Sequence, residues 1–542
     1  MQPLPATLAR DLSRAAAYPH DADARAGVGR GVEWVQTHLS HVYLTRERVY
    51  KLRKSVDLGF VDFSTRAQRN HDCLREVALN RRLAEHVYLG VAPVERGRGG
   101  FRVGALDARA QRLDPAREHV VVMRRLPAGC DAPSMLARGA FRNPHIDAVA
   151  LRLARFHADH GLGRPSPWSR AAWFARVQAP VLENLRLLEA GAGRFYPRET
   201  WANLRARAGA FALAQRAAFE ARRVAGRAVD GHGDVHLQHV WFEPGRSEPT
   251  LIDCIEFNDD LRRIDAAAEV AFLAMDLIYR RRSRLADRFL RVYAGCADDF
   301  ELYRVVDYFL SYRAAVRAKV AAIAADDPAI DAAQRKAAAD SARRHLALAL
   351  RFLAPRPLGG VVVMAGVVGT GKSTAAEVVA DALGGVVIAS DLVRKRLHGM
   401  SATDRSGAAK GLYSQAARDR VYAAILERAA AVVDAGRIAV LDATYARTQQ
   451  RDAVLRFAAQ RGVPVWIVET RARRATALAR LALRQSRGDS ASDAGPARYA
   501  ASVAEFEAFR LPRGVRRQIV RTDAAGWKLA LRRAARVWST PA

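Results

Sequence analysis

Gly360-Val361-Val362-Val363-Met364-Ala365-Gly366-Val367-Val368-Gly369-Thr370-Gly371-Lys372-Ser373-Thr374 decides the fold of the last third of this chain. Gly360 to Ala365 is a nearly continuous apolar run of strand length, and Ser373 to Leu383 repeats apolar positions at helix spacing. Between them stand Gly366, Gly369 and Gly371, followed directly by Lys372 and Ser373. Glycines let a backbone curl until its amides point inward, and the next helix offers its positive end. Lys372 then reaches outer phosphates and Ser373 holds a divalent cation. A chance glycine-rich turn would not place a strand and a helix on the correct sides.

Outward from that loop the sequence alternates strand and helix. Strands are expected at Gly385 to Ala389, Ile438 to Leu441 and Val463 to Val468. Helices are expected near Ala408 to Asp434 and at Gln449 to Gln460, which together predict a parallel sheet covered by helices. Ala354-Pro355-Arg356-Pro357-Leu358-Gly359 is the clearest linker in the chain. Upstream, His41 to Leu44 and Val49 to Leu52 read as paired strands, Arg66 to Glu85 as a helix, and Val120 to Met123 as another strand. From Ile146 helices dominate, broken by short strands at Val240 to Phe242 and Thr250 to Ile252.

Several polar residues fall where the predicted strands end. Ser390-Asp391 follows the second strand and Arg394 stands three residues on; Asp442 closes the third, with Thr444 just beyond. Asp391 is placed to take a hydroxyl proton, Arg394 to grip an acceptor, and Asp442 to hold Mg²⁺ with Ser373. Arg447 and Arg451 share a helical face, directed at phosphate or at solvent. Arg480 and Arg484 repeat that interval ahead of the small, polar stretch Gly488-Asp489-Ser490-Ala491-Ser492-Asp493. The Asp391/Arg394 spacing resembles the Asp-x-x-Arg element of small P-loop kinases, including polynucleotide kinases. That resemblance implies an ATP and Mg²⁺ site built from Gly366, Gly369, Thr370, Gly371, Lys372, Ser373 and Thr374. It also implies a lid carrying Arg480 and Arg484.

A second constellation lies further toward the amino terminus. His232-Gly233-Asp234-Val235-His236-Leu237-Gln238-His239 resembles the catalytic loop of the aminoglycoside phosphotransferase and protein-kinase-like fold. Ile252-Asp253-Cys254-Ile255-Glu256-Phe257 resembles its second acidic motif, and Asp265 its buried acidic anchor. The resemblance makes Lys51 the phosphate-binding lysine, Glu76 its partner, Asp234 the base, and Asp253 with residue 239 the metal ligands. Position 239 is histidine where those kinases ordinarily carry asparagine, a poor match for magnesium. The turn Thr45-Arg46-Glu47-Arg48 has no glycine, so a flexible phosphate-covering loop is not expected there.

The whole arrangement resembles bacterial fused aminoglycoside phosphotransferase-like and P-loop ATP-binding proteins of the AAA-family ATPase type. The expected architecture is multidomain, a protein-kinase-like α+β domain followed by an α/β P-loop kinase-like domain. Its boundaries are an extension at 1–28, the kinase-like domain at 29–353, the linker at 354–359 and the P-loop domain at 360–542.

Composition agrees with a folded protein: 542 residues, half of them apolar and 26% charged. Cys73, Cys130, Cys254 and Cys296 form no close pair, which predicts reduced thiols, and neither a signal peptide nor a membrane span is legible. The cytoplasm is the expected location. The formal charge is +31, but 79 of the 87 basic residues are arginine and they are spread along the chain. The charge favours polyanions without naming one, so nucleic acid stays open as a partner. No membrane and no obligate protein partner are inferred. The expected function is ATP-dependent phosphorylation of a hydroxyl on an unidentified small metabolite. The alternatives are a polynucleotide end kinase and an ATP-dependent regulatory or binding protein with a degenerate kinase-like domain.

Overall fold

The computed structural model describes residues 2–21, 32–57, 59, 61–328, 330–400, 414–487 and 495–539. Two compact units are present. One comprises Met1–Ala148, Asp159–Gly163 and Arg227–Glu269, and the other Val149–Ala158, Arg164–Gly226 and Val270–Ala542. The division cuts through the kinase-like segment rather than along the linker.

The first unit is built on an antiparallel six-stranded sheet in the order β1-β2-β3-β6-β4-β5. Its strands are β1 (Glu33–Gln36), β2 (Ser40–Leu44), β3 (Arg48–Arg53), β4 (Tyr88–Gly97), β5 (Gly100–Val103) and β6 (His119–Arg124). Strand β6 is buried on both faces, which is why its sequence is a run of valines rather than an alternation. Val121 and Met123 face the helix Arg66–Ala84 and pack with Cys73, Val77 and Tyr88. Val120 and Val122 face the other way and pack with Leu8, Leu12 and Tyr18, so residues 2–21, which show little pattern in sequence, cover that face. The helix starts at a capping box in which Thr65 and Gln68 satisfy each other's backbone amides. Beyond the sheet, β7 (Ala228–Asp230) pairs with β10 (Arg263–Asp265), and β8 (Val240–Trp241) with β9 (Thr250–Leu251). These two short ladders hold the loops 231–239 and 252–262.

The second unit contains a parallel five-stranded sheet in the order β12-β13-β11-β14-β15. The strands are β11 (Gly360–Ala365), β12 (Val386–Ala389), β13 (Ile438–Asp442), β14 (Val465–Arg471) and β15 (Arg516–Arg521). The first is central, and all six of its residues are buried. The P-loop helix (Lys372–Leu383) and the final helix Trp527–Ser539 contribute Ala376, Val379, Leu531 and Ala535 to one core with Val362, Val440 and Trp466.

A helical layer including Ser283–Ala297, Val306–Asp326 and Ala332–Phe352 belongs to the same unit and is fastened to the sheet domain by ion pairs. Arg291 reaches Glu377 at 3.0 Å and Asp381 at 2.6 Å, both on the P-loop helix. Asp298 receives Arg428, while Asp307 accepts both Arg356 of the linker and Arg437. The linker is therefore pinned.

Candidate active sites

The loop 366–371 takes the conformation its glycines allow: Gly366, Gly369 and Gly371 have φ of 137°, 80° and 84°. At the first two there is also no room for a side chain. A Cβ on Gly366 would come within 2.5 Å of the Thr470 carbonyl oxygen, and one on Gly369 within 2.7 Å of that of Ala477. Thr370 ties the loop inward, its hydroxyl donating to the Val367 carbonyl at 2.8 Å and lying 2.8 Å from the Thr470 hydroxyl. Lys372 opens the helix, and its ammonium donates to the Val367 carbonyl at 2.9 Å. Burial draws that ammonium down to about 8 although Asp442 and Asp391 pull it upward; Arg484 adds to the depression. Ser373 and Thr374 occupy the exposed first turn.

Sheet register explains why the acids gather here. Asp442 at the end of β13 lies opposite Met364 on one side and Ala389 on the other. Asp391 begins only two residues after Ala389, on the helix Ser390–Leu397. Burial raises the Asp442 carboxyl, against the Ser373 hydroxyl bonded to it and the Lys372 charge. Ser373 and Asp442 are hard oxygen donors side by side beneath a phosphate loop, and they fit magnesium.

The expected arginines divide. Arg394 donates to Asp391 at 2.6 Å, so the two form a pair within one helix. Arg480, on the helix Arg474–Arg487, donates to the Thr522 hydroxyl at 2.8 Å and to its carbonyl at 2.9 Å. Arg484 lies close enough to repel the Lys372 charge. The stretch 488–493 of the expected lid lies outside the described residues. Arg447 donates to Gln415 at 2.7 Å. Arg451 is a correction to both readings of it: it is buried, and its guanidinium serves the carbonyls of Tyr445, Ala446 and Ala508. Tyr422 was not legible in sequence. Its hydroxyl lies 3.1 Å from that of Thr444 and accepts from the Tyr445 amide at 3.3 Å.

The second constellation assembles within the first unit. Lys51 donates to Glu76 at 2.9 Å and to Asp253 at 3.1 Å. Burial alone would lower its ammonium, but Asp253 and Glu76 outweigh it and raise it. Lys51 in turn holds the Asp253 carboxyl well below the ordinary range, against burial. Asp253 has φ of 63°, a left-handed conformation, and its amide donates to the Tyr88 hydroxyl at 3.0 Å. Asp234 and His239 share the neighbouring loop, with the His239 ring 2.8 Å from the Asp234 carbonyl. His239 Nε2 faces Asp253 at 3.5 Å.

Three features of this site differ from the sequence expectation. The glycine-free turn Thr45–Arg48 joins β2 to β3; another strand, β1, precedes it, and the turn from β1 to β2 is Thr37-His38-Leu39, also without glycine. The carboxylate beneath the catalytic-type loop is Glu269, which accepts from the amides of His232 at 2.9 Å and Gly233 at 3.0 Å. Asp265 is buried and caps the next helix through the Ala267 amide at 2.8 Å. Arg53, two residues after Lys51 and so on the same face of β3, donates to Glu76 at 2.6 Å and also bonds Glu256. With Asp72 at 2.6 Å, three buried carboxyls surround one guanidinium. Burial accordingly pushes the Glu256 carboxyl up to about 8. An arginine at that strand position was the available signal.

A family model described as AAA domain matches residues 361–509. The "Uncharacterized protein Rv2004c" of Mycobacterium tuberculosis is 34% identical over 426 residues, which span 78% of this chain and 80% of that one. The chain belongs to its family. Members of this family therefore extend across both the kinase-like and the P-loop segments, since the match is far longer than either sheet. Among solved structures, a choline/ethanolamine kinase family protein from Mesorhizobium loti is 17% identical with a TM-score of 0.37. It covers 64% of this chain and 99% of its own. A gluconokinase from Sinorhizobium meliloti 1021 is 22% identical with a TM-score of 0.24, covering 34% and 97%. The chain is a fusion of a kinase-like segment, built on the antiparallel sheet, and a P-loop kinase-like segment, built on the parallel one. No helix among the described residues is long and apolar enough to cross a membrane.

Proposed function

We propose that this chain is a cytoplasmic ATP-dependent phosphotransferase acting on a hydroxyl of a small metabolite, and that the P-loop site carries the reaction. The observation that supports this reading most is the convergence of Lys372, Asp442 and Asp391, with Asp391 close enough to act on the charge of the other two. A nucleotide-binding protein without an acceptor needs the first two. Asp391 adds a carboxylate from the helix that follows a neighbouring strand, where a hydroxyl would lie.

Bound Mg-ATP supplies the phosphoryl group and the neutralising cation. Gly366, Gly369, Thr370, Gly371 and Thr374 form the cradle, Lys372 clamps outer phosphates, and Ser373 with Asp442 holds the cation. Asp391 orients the acceptor hydroxyl and takes its proton, while Arg394 fixes that carboxylate. Arg484, already near Lys372, neutralises charge on the phosphoryl side, and Arg480 joins it after exchanging its Thr522 partner. Transfer of labelled phosphate from ATP to a metabolite panel tests the proposal, with wild type, Lys372→Ala and Asp391→Asn run in parallel. Product from wild type alone supports it. Equal product from all three removes the P-loop site from the reaction, and product only with polynucleotide ends supports the end-kinase alternative.

A second reading concerns the kinase-like site. Lys51 is bonded to both Glu76 and Asp253, and His239 stands beside Asp253. That self-paired state favours a regulatory or sensing role, in which Asp234 and Asp253 bind a ligand without turnover. Transfer that survives Lys372→Ala and is lost in Asp253→Ala would instead make this site the catalyst.

A further inference from the structure

Arginine occurs along the whole chain, but its acidic partners do not. From 508 to 542 there are nine basic residues and one acid, Asp523, against 87 and 56 in the full sequence. That acid is already engaged, accepting from the amide of Arg473 at 2.8 Å and from its guanidinium at 3.1 Å. Strand β15 and the final helix Trp527–Ser539 carry most of the excess, and neither contains a carboxylate.

Packing sorts these cations onto one surface. The helix buries Leu531 and Ala535 in the core with Val362 and Trp466, and Trp527 and Trp538 pack against that core. Helical periodicity then turns Arg532, Arg533 and Arg536 outward, with Lys528 at the margin, and all four are exposed. Arg516 joins them from β15. Its guanidinium lies over the Trp466 ring, 5.6 Å from the centroid, and that ring stacks on Trp538. Among the described residues no carboxylate pairs with Arg516, Lys528, Arg532 or Arg533. The adjoining P-loop helix carries Glu377 and Asp381, but Arg288 and Arg291 of the helical layer hold both. Exposed arginines on other helices sit beside an acid of their own, as Arg186 does with Glu183 and Arg343 with Asp340.

The spacing suits one kind of polyanion. Lys528, Arg532 and Arg536 recur every fourth residue, a rise of about 6.0 Å along the helix. Alternate phosphates on one strand of a duplex lie about 6.8 Å apart along its axis. Unpaired bases would need an aromatic platform, and the helix offers none, because Trp527 and Trp538 are packed on the core. A membrane surface would need the apolar stripe, which is already buried. Leu529 and Val537, the exposed apolar side chains, stand about two turns apart.

We propose that the outer face of the final helix, with Arg516, binds the phosphate backbone of a nucleic-acid duplex without reading its sequence. Cations in this row neutralise phosphates and release counterions, which supplies affinity and no base recognition. The proposal does not rest on the P-loop reaction, since it needs no strand end, no nucleotide and no transfer.

The probe is a short fluorescein-labelled DNA duplex closed by a hairpin loop at each end, which leaves an end-binding active site nothing to hold. Its anisotropy is followed on titration with the full-length protein, without ATP, at increasing salt. A closed RNA duplex and vesicles of phosphatidylserine and phosphatidylcholine are measured alongside, and binding of either duplex supports the proposal. The logarithm of the affinity should fall against that of salt with a slope of about −4 to −5, for five cations at about 0.9 each. Arg532→Ala combined with Arg533→Ala should weaken binding about tenfold at low salt and reduce the slope by about 2. Arg532→Lys combined with Arg533→Lys should keep the slope, and circular dichroism confirms that all variants fold. Arg186→Ala combined with Arg343→Ala removes the same charge from other helices and should leave binding unchanged. Four results overturn the proposal: no duplex binding at low salt, binding unaltered by the Arg532/Arg533 alanine pair, an equal loss in the Arg186/Arg343 pair, or binding to vesicles without binding to a duplex.

Discussion

The lysines of the two candidate sites, Lys372 and Lys51, are shifted in opposite directions. Lys372 is drawn down to about 8 by burial, and the partner its ammonium meets is a backbone carbonyl. Lys51 is raised because Asp253 and Glu76 both bond it. An anion arriving at the P-loop gives a desolvated cation a directly bonded charge, where among the described residues Asp442 and Asp391 act on it only at a distance. One arriving at Lys51 competes with a carboxylate already in place. The same residue type in two phosphate-type settings is poised in one and self-satisfied in the other.

That contrast breaks first at Asp391. Asp391→Asn keeps the side-chain volume and removes proton acceptance, so phosphoryl transfer should fall by about 10²–10⁴ while ATP affinity changes much less. A matching collapse of Mg-ATP affinity would make Asp391 part of the nucleotide site and leave the acceptor role empty.

The self-paired site is tested next by Arg53→Met. Arg53 is 2% exposed, and its loss leaves Glu76, Glu256 and Asp72 without their shared guanidinium. Urea denaturation of the full chain should show a loss of about 3–5 kcal/mol above pH 8, shrinking as pH falls and the carboxyls, Glu256 first, take up protons. A loss that does not shrink in acid would point to packing rather than charge.

Lys372 also sets a pH dependence. Its free ammonium loses its proton as pH rises through about 8, whereas bound phosphate favours the charged form. ATP affinity should therefore be flat below that value and fall by about tenfold per pH unit above it. Lys372→Arg should flatten the profile, and an unchanged slope in that variant assigns the titration to another group.

The smallest effect is expected at the seam between the helical layer and the P-loop helix. Arg291 is buried, but Glu377 and Asp381 are partly exposed, so Arg291→Met should cost about 1–2 kcal/mol in denaturation. ATP affinity should not move, since the pair lies a turn or more beyond Lys372. A shift in affinity would show that the helical layer regulates the loop.

The two sites also differ in how far the sequence reveals them. The P-loop is local: strand, glycines, lysine and helix follow within 24 residues, from Gly360 to Leu383, so one motif carries the geometry. The kinase-like site draws on residues from Lys51 to Glu269, and only the order of matching fragments points to it. Glu269 sits inside an alanine-rich helix with no motif around it. Tertiary packing alone brings it under the His232 and Gly233 amides. Strand β15 reads Arg516-Arg517-Gln518-Ile519-Val520-Arg521, and its burial is slight, with Val520 the buried residue. An edge strand so rich in arginine gives neither an apolar run nor an alternation. Arg451 misled for the same reason. In a chain with 87 basic residues, an arginine committed to backbone carbonyls looks like any other.

The central claim is that phosphoryl transfer belongs to the P-loop site, and one comparison tests it directly. Transfer of labelled phosphate from ATP to the metabolite found in the panel is measured for Lys372→Ala and Asp253→Ala, each checked for folding. Loss of product in Lys372→Ala with product retained in Asp253→Ala is the predicted result. Retention in Lys372→Ala with loss in Asp253→Ala would contradict it, and would move the reaction to the kinase-like site.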